Sequence, residues 1–180
     1  PGFIDSHTHL VFSSNRANDF LSRVSGKSYT EIAESGGGIK SSIKSLRDTS
    51  KKELIDKCLK DVNNMIRSGT TTIEAKSGYG LTLEDEIKSL EVIKDLNKIE
   101  NVDIVPTFMG AHDFPPEIEN RDKYISLICD EMIPEISKRK LAEFCDIFCE
   151  EGYFNHEQTK KICNTARINN LGIKLHVDEF

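Results

Sequence analysis

Apolar residues in this chain follow two periods, one typical of β-strands and one typical of α-helices. Short runs rich in β-branched and apolar residues predict five strands, at 3–10, 70–76, 102–108, 144–149 and 173–178. Stretches with apolar residues three and four positions apart predict helices from 50 to 68, from 82 to at least 96, at 121–139 and from 155 to about 170, with a short helical segment at 28–35. Strand and helix therefore alternate along the chain.

Capping residues support the helix boundaries. Ser50 with Glu53 three positions later forms a capping box at the start of the helix predicted at 50–68, and Gly69 is suited to end that helix. Asn155 is expected to cap the last helix, and Gly172 to end it. Pro106 is unfavourable in the third strand, because proline cannot donate a hydrogen bond to a neighbouring strand.

Strict alternation of strands and helices with short connections predicts a parallel sheet with right-handed crossovers. Units of about 35 residues extrapolate to eight units in about 280 residues, near the usual size of a (β/α)8 TIM barrel. A doubly wound open sheet is the alternative, but its G-x-G-x-x-G fingerprint is absent after the first strand. We therefore expect an incomplete α/β barrel consisting of strands one to five, with residues 1–180 forming its N-terminal part.

Composition narrows the classes of function. The 180 residues are 37% hydrophobic and 30% charged, with a net charge of −6 and no grouped basic residues, which argues against a nucleic-acid partner. No run of about 20 apolar residues predicts a membrane span, and no signal peptide is visible. Five cysteines without a C-x-x-C motif are typical of reduced thiols in a cytoplasmic protein.

The first strand carries two histidines, His7 and His9, at alternate positions. Residues two apart on a strand share a face, with Cα atoms about 6.6 Å apart, so both imidazoles can converge on one metal ion. On a helix the same spacing would direct the rings to nearly opposite sides. For an isolated His-x-His, two histidines that only hydrogen-bond in a core or face solvent are the alternative.

Polar residues also follow the other predicted strands. In a parallel barrel the loops after the strands share one face, where active sites are built. The residues at these strand ends are His7, His9, Lys76, Tyr79, His112, Glu150, Glu151, His176, Asp178 and Glu179. Four of the five histidines thus fall at one mouth, whereas His156 begins a helix and is expected at the surface. The grouping predicts a metal site.

Several motifs carry a family resemblance. The opening segment Pro-Gly-Phe-Ile-Asp-Ser-His-Thr-His is similar to the first-strand motif of the metal-dependent amidohydrolases. Asn15-Arg16, Lys76-Ser77-Gly78-Tyr79-Gly80, Met109-Gly110-Ala111-His112 and His176-Val177-Asp178-Glu179 resemble, more specifically, the imidazolonepropionase family. The resemblance runs along the whole chain.

This resemblance implies hydrolytic ring opening of 4-imidazolone-5-propanoate to N-formimino-L-glutamate in histidine degradation. It implies a barrel of the metal-dependent hydrolase type in which His7, His9 and His176 bind one zinc or iron ion. Arg16, Tyr79, His112 and Glu179 would bind the anionic substrate, with Glu179 and His112 also catalytic. Because Glu179 is three residues after His176, the strand must end or bend near Asp178 for its carboxylate to reach the site.

The resemblance also implies parts that this chain lacks. A fourth metal ligand, a late-strand histidine and a small β domain lie elsewhere in the family, whose members suggest a homodimer for the full-length protein. We therefore expect the chain alone to be unstable and inactive, since the missing strands leave open sheet edges. Two alternatives stay open: another amidohydrolase, such as a nucleobase deaminase, or a noncatalytic barrel scaffold.

Overall fold

The computed structural model describes residues 1–28, 31–32, 35, 37–99 and 102–179. Part of the predicted helical segment at 28–35 lies outside these residues. The strands are β1 (Phe3–Thr8), β2 (Thr70–Lys76), β3 (Asp103–Ala111), β4 (Phe144–Phe148) and β5 (Gly172–His176). The helices are α1 (Ala17–Val24), α2 (Ile39–Asp48), α3 (Lys51–Arg67), α4 (Leu83–Ile99), α5 (Arg121–Leu127), α6 (Ile133–Arg139) and α7 (His156–Ile168), and a π-helical turn (Ile128–Met132) joins α5 to α6.

The five strands form one parallel sheet in the order β1-β2-β3-β4-β5. Every strand therefore pairs with its neighbour in sequence, as a barrel requires and as a doubly wound sheet does not. The predicted α/β class and the sequential parallel order are confirmed.

The sheet is strongly curled. Four strand spacings of about 4.8 Å would separate β1 and β5 by roughly 19 Å in a flat sheet. Instead, the ring atoms His7 Nε2 and His176 Nε2, from these two edge strands, lie only 3.0 Å apart. The sheet is thus a half-barrel whose concave face brings distant strands together.

The two faces of the sheet differ in chemistry because side chains alternate along each strand. On β2, Ile73 and Ala75 are buried in the apolar core beneath the helices. Glu74 and Lys76 point to the concave face, yet they too are almost inaccessible to solvent. The helices therefore cover the convex face, and charged side chains fill part of the interior.

Local sequence signals fix the ends of two helices as predicted. Ser50 and Glu53 form the capping box of α3, and Asn155 forms one at the start of α7. Gly69 follows α3 with a φ of +93°. The role predicted for Gly172 is wrong, because Asn170, with a φ of +60°, takes the left-handed position after α7 and Gly172 begins β5.

Proline residues are accommodated at two places. Pro106 lies within β3, but its carbonyl oxygen accepts the N–H of Glu143, just before the paired part of β3 and β4 begins at Thr107 and Phe144. The missing N–H therefore falls at the end of that pairing. In the predicted helix at 121–139, the π-helical turn ends at Met132, and Pro134 is the second residue of α6. Proline's lack of an N–H costs little in the first turn of a helix.

Two helices, α1 and α2, are not among those predicted from the sequence. Helix α1 leaves Phe20, Leu21 and Val24 largely exposed, so its apolar residues do not give the one-sided burial expected of an amphipathic helix.

Among the described residues, every helix is too short or too polar to span a membrane.

Candidate active site

A cavity of about 630 Å³ opens at the carboxyl ends of the strands. All seven residues proposed from the sequence for metal or substrate contact lie in its lining: His7, His9, Arg16, Tyr79, His112, His176 and Glu179. Residues from the first strand to the last thus reach one space, because curling of the sheet collects the strand ends. His156, by contrast, begins α7 at the surface, as predicted.

His7 and His176 meet across the mouth of the half-barrel. Their Nε2 atoms are 3.0 Å apart, and the rings are nearly perpendicular, at 83°. The pKa of His7 is lowered by its partial burial and by the neighbouring His176 and Lys76. The two imidazoles therefore direct nitrogen atoms at each other, and at His7 the neutral form is favoured.

His9 lies just beyond the end of β1 and faces a different neighbour. Its ring centroid is 5.8 Å from that of His7, and its ring stacks on His112 at 4.6 Å with an interplanar angle of 15°. Burial, followed by the neighbouring His112 and His7, lowers the pKa of His9 well below its usual value. Its Nδ1 is buried without a hydrogen-bond partner.

The structure therefore brings two of the three proposed metal ligands into direct contact. Within the described ranges, no group of three or more histidine, cysteine, aspartate or glutamate side chains is close enough to hold a metal ion. The set of His7, His9 and His176 stays a prediction.

A buried charge network lies beneath these histidines. Lys76 Nζ contacts Glu74 Oε1 at 2.8 Å and Asp146 Oδ2 at 2.7 Å, and all three side chains are at most 5% exposed. Lys174 Nζ also contacts Glu74 Oε1, at 2.7 Å, and the hydroxyl of Thr107 donates to the same oxygen at 2.6 Å. The network links β2, β3, β4 and β5 across the interior.

Asp146 connects this network to His176. Its Oδ2 lies 3.0 Å from His176 Nδ1, a distance suited to a hydrogen bond although the alignment is poor. Burial alone would raise the pKa of Asp146, but the contacts with His176 and Lys76 outweigh it and hold the pKa below its usual value. Asp146 is therefore a carboxylate that contacts His176 at Nδ1, on the opposite side of the ring from the Nε2 atom that faces His7.

His112, just after the end of β3, is held by the loop after β2. Its Nδ1 is 2.8 Å from the carbonyl oxygen of Gly78. Burial lowers the pKa of His112 to about 4, so the ring is neutral near pH 7. Its ring also stacks on His9 and lies 5.4 Å, between centroids, from the ring of Tyr79.

Arg16 stands at the N-terminal end of α1, in the lining of the cavity. Its Nε donates to Ser42 Oγ of α2 at 3.1 Å, and its guanidinium carbon lies 5.7 Å from the centroid of the Tyr79 ring. A guanidinium beside a phenol can bind a carboxylate through two parallel hydrogen bonds.

Glu179 reaches the cavity because the chain turns at Asp178. Strand β5 ends at His176, and Asp178 has a φ of +56°, in the left-handed region. The backbone N–H of Glu179 donates to Glu150 Oε2 at 2.9 Å, which anchors the turn. The bend expected from the sequence spacing is confirmed.

Two features of the site do not follow from the sequence pattern. Lys76 is expected at a strand end, but its pairing with Asp146, seventy residues away, is not predicted by any local signal. The helical pattern gives Glu86 no special role, although this side chain is completely buried. The sequence signal that could have indicated a role for Glu86 is its position in the first turn of a helix that follows a loop with two glycines.

No protein-family model matches the chain. Curated proteins do match it, and three of them, each named imidazolonepropionase, show the extent of the similarity. The relative from Thermoanaerobacter pseudethanolicus is 47% identical over 181 residues, which cover 100% of this chain and 44% of the relative. The relative from Fusobacterium nucleatum is 48% identical with the same coverage, and that from Shewanella amazonensis is 46% identical, with 45% of its length covered.

The chain thus spans a little under half the length of the relatives that it matches. The aligned region includes each of the seven cavity residues, since it covers the entire chain. The resemblance of this chain to the imidazolonepropionases is therefore confirmed from its first residue to its last.

Proposed function

We propose that the protein containing this chain hydrolyses 4-imidazolone-5-propanoate to N-formimino-L-glutamate, a step of histidine degradation. The observation that carries the proposal is that all seven residues singled out by the sequence motifs line one and the same cavity. The similarity to proteins named imidazolonepropionase over the whole chain supports it.

The substrate would lie between Arg16 on one side and His112 on the other. Its propanoate tail is an anion, and Arg16 offers a planar guanidinium whose position is fixed by Ser42. Tyr79, beside Arg16, adds a neutral donor. His112 donates its Nδ1 proton to Gly78, so its Nε2 can accept a hydrogen bond from a ring N–H of the substrate.

His7, His9 and His176 would hold one zinc or iron ion. The 3.0 Å separation of His7 Nε2 and His176 Nε2 supports this, because two bonds of about 2.0–2.1 Å to one tetrahedral ion place the ligand nitrogens roughly 3.4 Å apart. The unpartnered, buried Nδ1 of His9 is a third nitrogen available nearby. A bound divalent ion supplies an acidified water and polarises a carbonyl group.

Glu179 would transfer the proton of the hydrolytic step. Water adds to the ring carbonyl carbon, the ring C–N bond breaks, and the proton that leaves the water ends on the departing nitrogen. A carboxylate at the mouth of the cavity can accept that proton and return it. The imidazole of His112 would orient the substrate for this attack through its Nε2 atom.

The remaining expectations follow from the same proposal. The barrel would be of the metal-dependent hydrolase type, completed by strands outside this chain. The full-length protein would act as a cytoplasmic homodimer on a small anionic substrate, without a nucleic-acid partner.

The test is turnover and metal content of the full-length protein. We expect stoichiometric zinc or iron by elemental analysis, and formation of N-formimino-L-glutamate from imidazolone propanoate by mass spectrometry. Deamination of a nucleobase without hydrolysis of imidazolone propanoate would favour a different amidohydrolase. A metal-free protein that is inactive on both would favour a noncatalytic scaffold.

A further inference from the structure

A buried carboxylate, Glu86, lies directly beneath the loop that carries Tyr79. Glu86 belongs to the first turn of α4 and is 0% exposed. Its Oε1 accepts the backbone N–H groups of Gly80 and Leu81, each at 2.9 Å. Gly78 N–H lies between the two carboxylate oxygens, at 3.2 and 3.1 Å. One side chain thus binds three amides of a five-residue loop.

Glu86 does not serve as a cap for its own helix. The Thr82 hydroxyl oxygen accepts the N–H of Asp85 at 3.1 Å, which is the usual capping contact at this helix start. All three backbone N–H groups that contact the Glu86 carboxylate come from the loop before the helix. Burial raises the pKa of Glu86, and the N–H groups of the loop oppose this shift because they compensate in part for the lost water. The interaction is therefore directed at the loop.

The backbone of the loop is strained at Leu81, a residue with a side chain and a φ of +56°. Gly78 has a φ of +110°, which glycine adopts without strain. Left-handed conformations persist in residues other than glycine when surrounding contacts impose them. Arg47 of α2 adds a second brace, since its Nε donates to the carbonyl oxygen of Gly80 at 2.8 Å.

Two cavity residues depend on this loop. Tyr79 stands between Gly78 and Gly80, whose amides Glu86 binds. The carbonyl oxygen of Gly78 is also the partner of His112 Nδ1. A shift of the loop would therefore move the Tyr79 phenol and release the His112 ring at the same time.

We infer that Glu86 is a positioning residue for substrate binding: by fixing loop 77–81, it orients both Tyr79 and His112 toward the substrate. This inference rests on the proposed function of the cavity. Glu86 does not touch the substrate, so its effect is transmitted through the backbone of Gly78 and Gly80.

The first test compares Glu86→Gln, Glu86→Ala and Glu91→Gln in the full-length protein. Glutamine keeps the shape of Glu86 but replaces one acceptor oxygen with an NH2 donor. Because the Gly78 N–H contacts both carboxylate oxygens, either orientation of the amide places this donor against the Gly78 N–H. Glu91→Gln is the matched control, because Glu91 is on the same helix but pairs with Lys51 outside the cavity.

For Glu86→Gln we expect KM for imidazolone propanoate to rise by about fivefold or more, with a smaller change in kcat, since the lost orientation concerns substrate contacts. Glu86→Ala should show a larger rise. A purely structural role would instead lower kcat per total protein at constant KM, through a smaller folded fraction. If the wild type is active and the KM of Glu86→Gln stays within twofold of the wild-type value, the inference is overturned.

The second test needs no substrate, so it separates failure of this inference from failure of the proposed function. Hydrogen–deuterium exchange should become faster in peptides that contain residues 77–81 of Glu86→Gln and remain unchanged in peptides from β4. The control Glu91→Gln should match the wild type throughout. Unchanged protection of loop 77–81 in Glu86→Gln overturns the inference even if the protein hydrolyses a different substrate.

Discussion

His112 Nδ1 lies 2.8 Å from the carbonyl oxygen of Gly78. Because a carbonyl oxygen can only accept, the imidazole must carry its proton on Nδ1, which leaves Nε2 with a free lone pair. The low pKa of His112, about 4 as a result of burial, keeps the ring in this neutral form. A hydrogen bond to the backbone of the loop after β2 therefore sets the tautomer that the cavity presents.

Substituting Gly78 with alanine should disturb this arrangement. The new Cβ would lie 2.9 Å from the carbonyl oxygen of Met109 and 3.1 Å from both His112 Cβ and Nδ1, at a residue with a φ of +110°. We expect kcat/KM of the full-length protein to fall by about tenfold or more, which corresponds to about 1.4 kcal/mol. Gly26→Ala is the control, because its φ is +94° but no atom lies within 4 Å of the added Cβ. Equal activity of the two variants would contradict this assignment.

Arg16 should contribute mainly to substrate affinity. Charge-assisted hydrogen bonds contribute about 1.5–3 kcal/mol, so Arg16→Ala should raise KM by roughly tenfold to a hundredfold. Arg16→Lys should recover only part of this, since lysine cannot make two parallel hydrogen bonds to a carboxylate. Steady-state kinetics over a range of salt concentrations measures both effects. Arg67→Ala, an exposed arginine at the end of α3, should behave as the wild type. An unaltered KM in Arg16→Ala would exclude tail binding by this residue.

Under the proposed function, Asp146 should influence retention of the proposed metal ion through His176. Removing a carboxylate that orients a ligating histidine lowers metal affinity by about 10–100-fold. Asp146→Asn should therefore lose metal to a chelator at a lower concentration than the wild type. It should also lower the free energy of unfolding by about 1–3 kcal/mol, because buried Lys76 loses a charged partner 2.7 Å away. Asp103→Asn, exposed at the other end of the sheet on β3, is the control. Wild-type chelator resistance in folded Asp146→Asn would argue against a role for Asp146 in holding His176.

Parts of this structure can be predicted from the sequence because their causes are local. Strand β2 matches its predicted limits, since Thr70–Ile73 is a β-branched run that directly follows the glycine ending α3. The capping boxes at Ser50 and Asn155 are equally local. That His7 and His176 lie at the same end of the sheet follows from the strand order and the rule that parallel strands end on one face, whereas their contact also requires the curl of the sheet.

Other parts depend on contacts between distant residues. Glu74 and Lys76 alternate with apolar residues, a pattern that also fits a solvent-facing strand surface. Only curling of the sheet brings Asp146 and Lys174 onto them and makes their face an interior. The position of His9 beside His112 likewise depends on where β1 ends, one residue before it. Helix α2 carries Ile39, Ile43 and Leu46 at helical spacing, but it is short and directly follows a glycine triplet that is typical of a turn.

Cys58 should be unreactive in the folded protein. Its thiol is 1% exposed and donates to the carbonyl oxygen of Leu10 at 3.3 Å, and burial raises its pKa to about 12. Because only the thiolate is nucleophilic, iodoacetamide at pH 8 should leave Cys58 unmodified in the native state and alkylate it in urea, as detected by peptide mass spectrometry.

The same shift of the Cys58 pKa predicts a pH dependence of stability. The folded pKa lies above the reference value of 9.0, so the folded state binds this proton more tightly than the unfolded state does. The contribution of the thiol is fully present below pH 9 and is lost as the pH rises toward 12. Above pH 9, the free energy of unfolding should therefore fall less steeply with pH in Cys58→Ala than in the wild type.

For the reactivity of Cys58, native-state alkylation as fast as that in urea would show that the thiol is not buried.

The chain should self-associate when it is expressed alone. Among the described residues, β1 pairs only with β2 and β5 only with β4, so both strands present unpaired backbone groups at the sheet edges. Both edge strands also expose apolar side chains to solvent. Phe3 and Ile4 are 70% and 71% exposed on β1, and Leu175 is 48% exposed on β5. Long, apolar edge strands are templates for pairing with a second chain. We expect the 180-residue chain to elute as oligomers in size-exclusion chromatography with light scattering at micromolar concentration, and to show no turnover.

Charged residues on edge strands oppose such pairing, so Ile4→Lys with Leu175→Lys should shift the distribution toward monomer without restoring activity. Ile168→Lys, which removes an 80% exposed apolar side chain from the end of α7 and leaves the sheet edges intact, should leave the oligomers unchanged. A monomeric, cooperatively unfolding wild-type chain would show that these five strands form a stable unit without further pairing.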